Sequence, residues 1–263
     1  MTQPSPRETS MTEHLIVADE HHARSITMRR PEKKNAITQA MYRAMSDAID
    51  SAQDDPEIRC LIIAGGSGVF TAGNDLDDFL KAGTANADTP RPSNAQKFLY
   101  SLAQNSKPII AAVDGIAIGI GTTMLFHCDY VLASTTATFA TPFIHLGLVP
   151  EAASSLLMPR TMGHQRAFAT LVMGRTMHAD EAREAGFVNE VVAPGQTEDA
   201  ARKVAREICA LPAEAVAISR RLLKLPPEDL TRRIDQESHL FGERMRSKEA
   251  VAAFQAFFAR KKG

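Results

Sequence analysis

Two uninterrupted apolar runs, Cys60–Ala64 and Ile109–Val113, each stop at a glycine turn, and this restricts the fold more than any other feature of the chain. A short apolar run closed by turn residues reads as a strand covered on both faces, the habit of parallel sheets. Tyr130–Ala133 is a further strand candidate, and a helix starting near Gly121 separates it from Ile109–Val113. Leu15–Ala18 and Ser25–Met28 read as a hairpin around the polar turn Asp19–His22. Thr38 reads as the N-cap of a helix, with Met41, Met45, Ala48, Ile49 and Ala52 following at helical spacing. Strands alternating with helices predict βαβ units, an α/β class and a mainly parallel sheet. From about residue 198 the pattern changes to helices alone, split by Pro212 and Pro226-Pro227. Two regions are therefore expected: a core over residues 1–197 and a helical C-terminal region over 198–263. Residues 1–12 are polar and expected to be disordered, and residues 82–95, rich in Gly, Ala, Asn, Thr and Pro, to form a mobile loop.

The charge balance narrows the partners. Net charge is −1 over 263 residues, which gives no electrostatic footing for nucleic acid. The long apolar stretch Ile109–Phe126 contains Asp114, Gly115, Gly119 and Gly121, so it makes a poor membrane span. Cys60, Cys128 and Cys209 lie far apart and form no CxxC pair, and the first residues lack the apolar region of a secretory signal. A reducing compartment, the cytoplasm or an organelle matrix, is expected, with the cytoplasm preferred.

Three segments hold candidate chemistry. The first turn runs from Gly65 to Leu76, and the second from Gly115 to Thr123. Glycine tolerates positive φ and close approach, so such turns can aim backbone N–H groups into a cavity. The second turn also opens a helix, whose N-terminus favours negative charge. Either turn alone reads equally well as a tight turn, and neither has the spacing of a phosphate or dinucleotide loop. The third segment is Phe139–Glu151, where Pro150 and Glu151 read as the first turn of a helix running to Met158. His145 lies in that stretch and is expected to make a structural hydrogen bond. Adjacent His21-His22 do not share a face for a metal, and Ser154-Ser155 lack a histidine partner in a nucleophile elbow.

Taken together, these segments resemble the crotonase (enoyl-CoA hydratase/isomerase) superfamily. Arg30-Pro31-Glu32-Lys33-Lys34-Asn35-Ala36 resembles its R-P-x-x-x-N-A segment, and Lys107–Gly115 its strand before the second glycine turn. His178–Ala182 with Gly186–Val192 is similar to its closing helix and strand. The resemblance implies a spiral of ββα units with a C-terminal helical region for trimerisation or a lid, in a trimer or dimer of trimers. It also implies an acyl-CoA thioester as substrate, with coenzyme A part of the substrate rather than a separate cofactor, and no metal. The thioester oxygen would rest on the backbone N–H groups of Asn74 and Ile120. Ala72 and Leu76 correspond to positions whose backbone holds the adenine ring. Ala36 lines the CoA path, and Lys34 or Lys33 is a candidate for its phosphates.

One departure from the family pattern bears on the reaction. Its hydratases carry two glutamates that hold and activate water. Their positions here are Thr123 and Phe143, and neither can act as a base. The pattern around Gly73-Asn74-Asp75-Leu76 and Thr141–Glu151 resembles the Δ3,Δ2-enoyl-CoA isomerase branch, whose single carboxylate corresponds to Glu151. Isomerisation by a Glu151 proton shuttle is the expectation. The alternatives are hydration or another acyl-CoA reaction of the family, and a non-catalytic acyl-CoA-binding protein.

Overall fold

The computed structural model describes residues 7–66, 68–78 and 92–261. The hairpin forms as β2 (Leu15–Glu20) and β3 (Ala23–Met28), antiparallel from Leu15↔Met28 to Glu20↔Ala23. Its turn is tight because His21 and His22 both take positive φ. Arg7–Thr12 forms β1, antiparallel on β2, where composition suggests disorder. The edge of β2 supplies the backbone partners that keep this polar segment in a strand. Residues 1–6 lie outside the described residues.

From β3 onward the pairing is parallel. β4 (Cys60–Gly65), β5 (Ile109–Val113), β7 (Tyr130–Ser134) and β10 (Glu190–Val192) add in turn, giving the order β1-β2-β3-β4-β5-β7-β10. β6 (Ile116–Ile118), β8 (Thr138–Ala140) and β9 (Met177–His178) make a second, three-stranded sheet. The apolar runs are continuous because alternate residues enter different cores. Leu61, Ile63, Ile109 and Ala111 pack with Met41, Met45 and Ile49 of α1 (Gln39–Asp54) and with Leu99 and Leu102 of α2 (Asn94–Gln104). Cys60, Ile62, Ala64, Ile110 and Ala112 face the other way, onto Ala201, Ala205 and Cys209. Each fully buried Ile or Leu here stabilises by about 1.5–3 kcal/mol.

α1 starts as its sequence predicts, with Thr38 Oγ1 accepting from Met41 N at 3.2 Å. Asn94 already begins α2, capped by Ser93, so the loop expected to reach residue 95 ends earlier; its residues 82–91 lie outside the described residues. Short helices α3 (Ile120–Thr123), α4 (Ser154–Met162), α5 (His164–Leu171) and α6 (Ala179–Glu184) follow. The C-terminal region consists of α7 (Thr197–Ala210), α8 (Ala213–Leu223), α9 (Pro227–Met245) and α10 (Lys248–Lys261). α7 covers the main sheet, so the helical region begins inside the core. α9 packs on α2, and α10 packs on the 3₁₀ turn Pro142–Leu146. No helix among the described residues is long and apolar enough to cross a membrane.

Asn35 clasps the first glycine turn to the segment before α1. It is fully buried with φ +53. Its Oδ1 accepts from Arg30 N at 2.7 Å, and its Nδ2 donates to Val69 O at 2.7 Å. Thr71 Oγ1 donates to Asn35 O at 2.6 Å. Alanine at this position leaves two backbone groups unpaired and puts a methyl-bearing residue in the left-handed region. Asn35→Ala is expected to lower unfolding stability by about 2–4 kcal/mol, read from urea denaturation.

Candidate active site

The two glycine turns meet backbone to backbone. Thr71 N donates to Ile116 O, and Ile118 N donates to Thr71 O, both at 3.0 Å. Gly73 has φ +85, and a Cβ there would sit 2.6 Å from Ile118 O. Gly119 has φ +58, and its N–H donates to Ala140 O at 2.8 Å. Two amides are left over at this junction. Ile37 bridges to Asn74 by donating to Gly73 O and accepting from Asp75 N, which skips the N–H of Asn74 itself. Ile120 opens α3, so its N–H has no preceding helical carbonyl. Among the described residues neither N–H has an acceptor.

A cavity of about 510 Å³ opens beside this junction. Lys34, Ala36, Ala72, Asn74 and Leu76 line one side, and Phe143, Leu148, Phe241 and Phe254 the other. Ile120, Thr123 and Glu151 do not border it. Ile120 and Thr123 are almost wholly buried, next in sequence to the lining residue Gly119 or one turn beyond it. Lys33 and Lys34 are exposed at the lining's polar end beside Glu32. Asp75 pairs with Arg30 at 2.7 Å. Burial would raise its carboxyl, but the Arg30 hydrogen bond and the Asp78 N–H hold it below the usual range.

Glu151 stands apart from the other carboxylates. It does not open a helix, as its sequence suggests. Ala152 and Ala153 both take left-handed φ, 62° and 54°, and α4 begins only at Ser154. Any helix-dipole effect on the carboxyl is thereby weakened, and burial dominates. Burial pushes the Glu151 carboxyl up to about 7, against a 3.0 Å hydrogen bond donated by Thr123 Oγ1 and with a smaller push from Glu237. Thr123 thus touches this carboxyl rather than the cavity. Tyr42 links 151 to 74: its hydroxyl donates to Asn74 Oδ1 at 2.7 Å, and burial, then the charge of Glu151, raises its own pKa. His145 is exposed and packs on Gly174, with no hydrogen bond among the described residues.

Three residues near this site escape a motif reading. His127 is buried, and its Nε2 lies 2.8 Å from Ala152 O; burial lowers its pKa to about 4, so near pH 7 the ring is neutral with Nε2–H donating. Tyr42 sits in the apolar face of α1 and looks like core. Glu237 leaves a sequence signal: it occupies the buried stripe of α9 defined by Leu230, Ile234 and Phe241, where an apolar residue is the rule.

Comparison with known proteins places the chain. A profile of the enoyl-CoA hydratase/isomerase family matches residues 20–263. Enoyl-CoA delta isomerase 2 of Rattus norvegicus is 33% identical over 250 residues, 94% of this chain and 64% of that protein, so the chain spans a little under two thirds of its length. An enoyl-CoA hydratase/isomerase structure from Pseudoalteromonas atlantica T6c is 36% identical with TM-score 0.88, over 94% of this chain and 98% of that one. The structure of Pseudomonas aeruginosa OdaA is 39% identical with TM-score 0.88, over 94% and 99%. The α/β core with its C-terminal helices is thus a crotonase-like fold, and the chain belongs to the enoyl-CoA hydratase/isomerase family.

Proposed function

We propose that the protein is a Δ3,Δ2-enoyl-CoA isomerase that moves a double bond with one carboxylate. The observation that carries this reading is the pairing of Glu151 with Thr123: where a hydratase of the family has its other glutamate, a hydroxyl donates to the Glu151 carboxyl. The second hydratase position, Phe143, is buried and makes edge contact with Phe241 at 6.3 Å between ring centroids. That side of the cavity is too apolar to hold and ionise a water. The isomerase relative supports the same branch.

In this mechanism a 3-enoyl-CoA lies in the cavity and its acyl end reaches past the lining residue Gly119, so that the thioester oxygen meets the N–H groups of Asn74 and Ile120 and C2 comes to the half-buried Glu151. Glu151 removes a proton from C2. The electron pair moves into the C1–C2 bond and the charge onto the oxygen, where donors that need no reorganisation stabilise it; one such donor is typically worth about 3–4 kcal/mol. The protonated Glu151 then returns the proton at C4, and the double bond closes between C2 and C3. A single group that accepts and then donates works best with a pKa near the working pH, which matches the raised carboxyl. Lys33 and Lys34 offer charge to the CoA phosphates. The Ala72 N–H is already committed to Lys34 O at 2.9 Å, leaving the Ala72 carbonyl for the adenine amino group.

Glu151→Gln is expected to lower kcat for 3-hexenoyl-CoA isomerisation by about 10²–10⁴-fold, and undiminished turnover would remove Glu151 from the mechanism. In the wild type, kcat/KM should rise with pH through about 7, as the base ionises, and level off above. Crotonyl-CoA hydration, followed as loss of the conjugated-thioester absorbance, is expected to be at least about 10²-fold slower than isomerisation. Stability should move the opposite way to activity. The folded state holds the Glu151 proton up to about pH 7 and the unfolded state only to about 4.5, so stability falls as pH rises between these values. At pH 8 Glu151→Gln should therefore be more stable than wild type, by on the order of 1–3 kcal/mol in denaturant titrations, and equal to it near pH 4.

A further inference from the structure

The apolar stripe of α9 is interrupted by one buried carboxylate, Glu237, which is 5% exposed. Its Oε1 accepts from Ser155 N at 3.0 Å and from Ser155 Oγ. Arg233, one turn earlier on α9, donates to the same Ser155 Oγ at 3.1 Å. Oε2 is buried without a partner. Ser155 N–H is one of the first backbone N–H groups of α4, which a residue at the helix start normally caps. Ala153 stands at that place, has no side chain to do so and is left-handed. A carboxylate from α9 caps the helix instead. The capped turn begins two residues after Glu151.

We propose that Glu237 is a positioning residue for the proton shuttle: it fixes the strained turn at 152–153 so that Glu151 is held in place. This inference rests on the reading of Glu151 as the base. The groups facing Glu151 are Thr123 from α3, Tyr42 from α1 and Glu237 from α9, with neutral His127 against Ala152 O. The group facing Glu237 with opposite charge is Arg233. Burial, the first cause, raises the Glu237 carboxyl, while the bonds from Ser155 and the charge of Arg233 work the other way. At Glu151 burial again comes first, and the like charge of Glu237 adds to it.

Two substitutions separate capping from charge. Glu237→Gln keeps an acceptor for Ser155 and puts its amide nitrogen at the unpartnered oxygen position, so it removes the charge alone. Glu237→Ala removes both. Isomerisation of 3-hexenoyl-CoA is followed from pH 5 to 9, and the Glu151 carboxyl is titrated by carbon-13 NMR, its resonance assigned by loss in Glu151→Gln. In Glu237→Gln the Glu151 titration and the acid limb of kcat/KM should move down by about half a unit or more. In Glu237→Ala the high-pH kcat should fall about tenfold or more with KM changed less than about threefold, and glutamine should restore part of that loss. A merely structural Glu237 would lower thermal stability in both variants and leave the Glu151 titration where it is; that unchanged titration in Glu237→Gln overturns the proposal. If the alanine variant does not fold, the glutamine variant still decides. The NMR titration needs no turnover, so an enzyme inactive on 3-enoyl-CoA would sink the base reading while the hold of Glu237 on Glu151 was still measured.

Discussion

The rest of the site depends on a contact that contains no side chains. Where Thr71–Gly73 crosses Ala117–Gly119, peptide lies on peptide, and any Cβ at residue 73 would occupy the space of Ile118 O. Glycine is required there for two reasons at once, its positive φ and the closeness of the neighbouring strand. The two unpaired amides flank this contact, one residue beyond Gly73 and one beyond Gly119. Their placement is therefore set by the ends of β4 and β6 and by the Asn35 clasp, not by the identity of residues 74 and 120. Side chains at those positions are free to serve other ends, and Asn74 uses its own to accept from Tyr42.

The acid side of the site is built differently, from desolvation and backbone strain. Ala152 and Ala153 sit in the left-handed region, at a cost of roughly 1–3 kcal/mol each for residues with a Cβ. Partners on opposite elements offset that cost: His127 binds Ala152 O from one side, and Glu237 binds the Ser155 N–H from the other. The strained turn delays α4 until Ser154, three residues beyond Glu151. A regular first helical turn at Pro150–Glu151 would have exposed the carboxyl to the favourable end of the dipole and lowered its pKa. With no helix start there, burial keeps the carboxyl protonatable near neutrality.

This difference explains what was legible in the sequence. Strand runs, the hairpin, the α1 cap and the four C-terminal helices follow from local pattern, because burial on two sheet faces and helical periodicity leave direct marks in residue type. The cavity-lining residues Lys34, Ala36, Ala72, Asn74, Leu76 and Phe143 were also readable, since they lie in ordered segments that resemble the family. Glu151 was found, but its conformation was not. Proline followed by an acid looks like a helix start, and nothing local reports the two left-handed alanines that follow. Likewise β1 gives no local signal, because its strand character comes from the edge of β2. The family positions put Thr123 where a hydratase activates water, and only the structure shows that its partner is Glu151. Glu237 and His127 act through backbone atoms distant in sequence, and only the odd acid in the apolar stripe of α9 hints at the first.

On the proposed mechanism, the two halves of the site are coupled by the path of one negative charge. Before proton transfer the charge rests on Glu151, in a desolvated place, bonded by Thr123 and facing the like charge of Glu237. After transfer it rests on the thioester oxygen, where two preorganised N–H groups receive it. Each unfavourable contact around the ionised base is relieved as the proton leaves C2, and each favourable one at the amides forms in the same motion. Interactions that change between ground and transition state are those that raise kcat. A second carboxylate on the water-facing wall, as hydration needs, would keep negative charge near the reacting carbons throughout. With Phe143 and Thr123 in those places, charge leaves the base side as the enolate forms. That asymmetry suits a proton carried from C2 to C4 by one group.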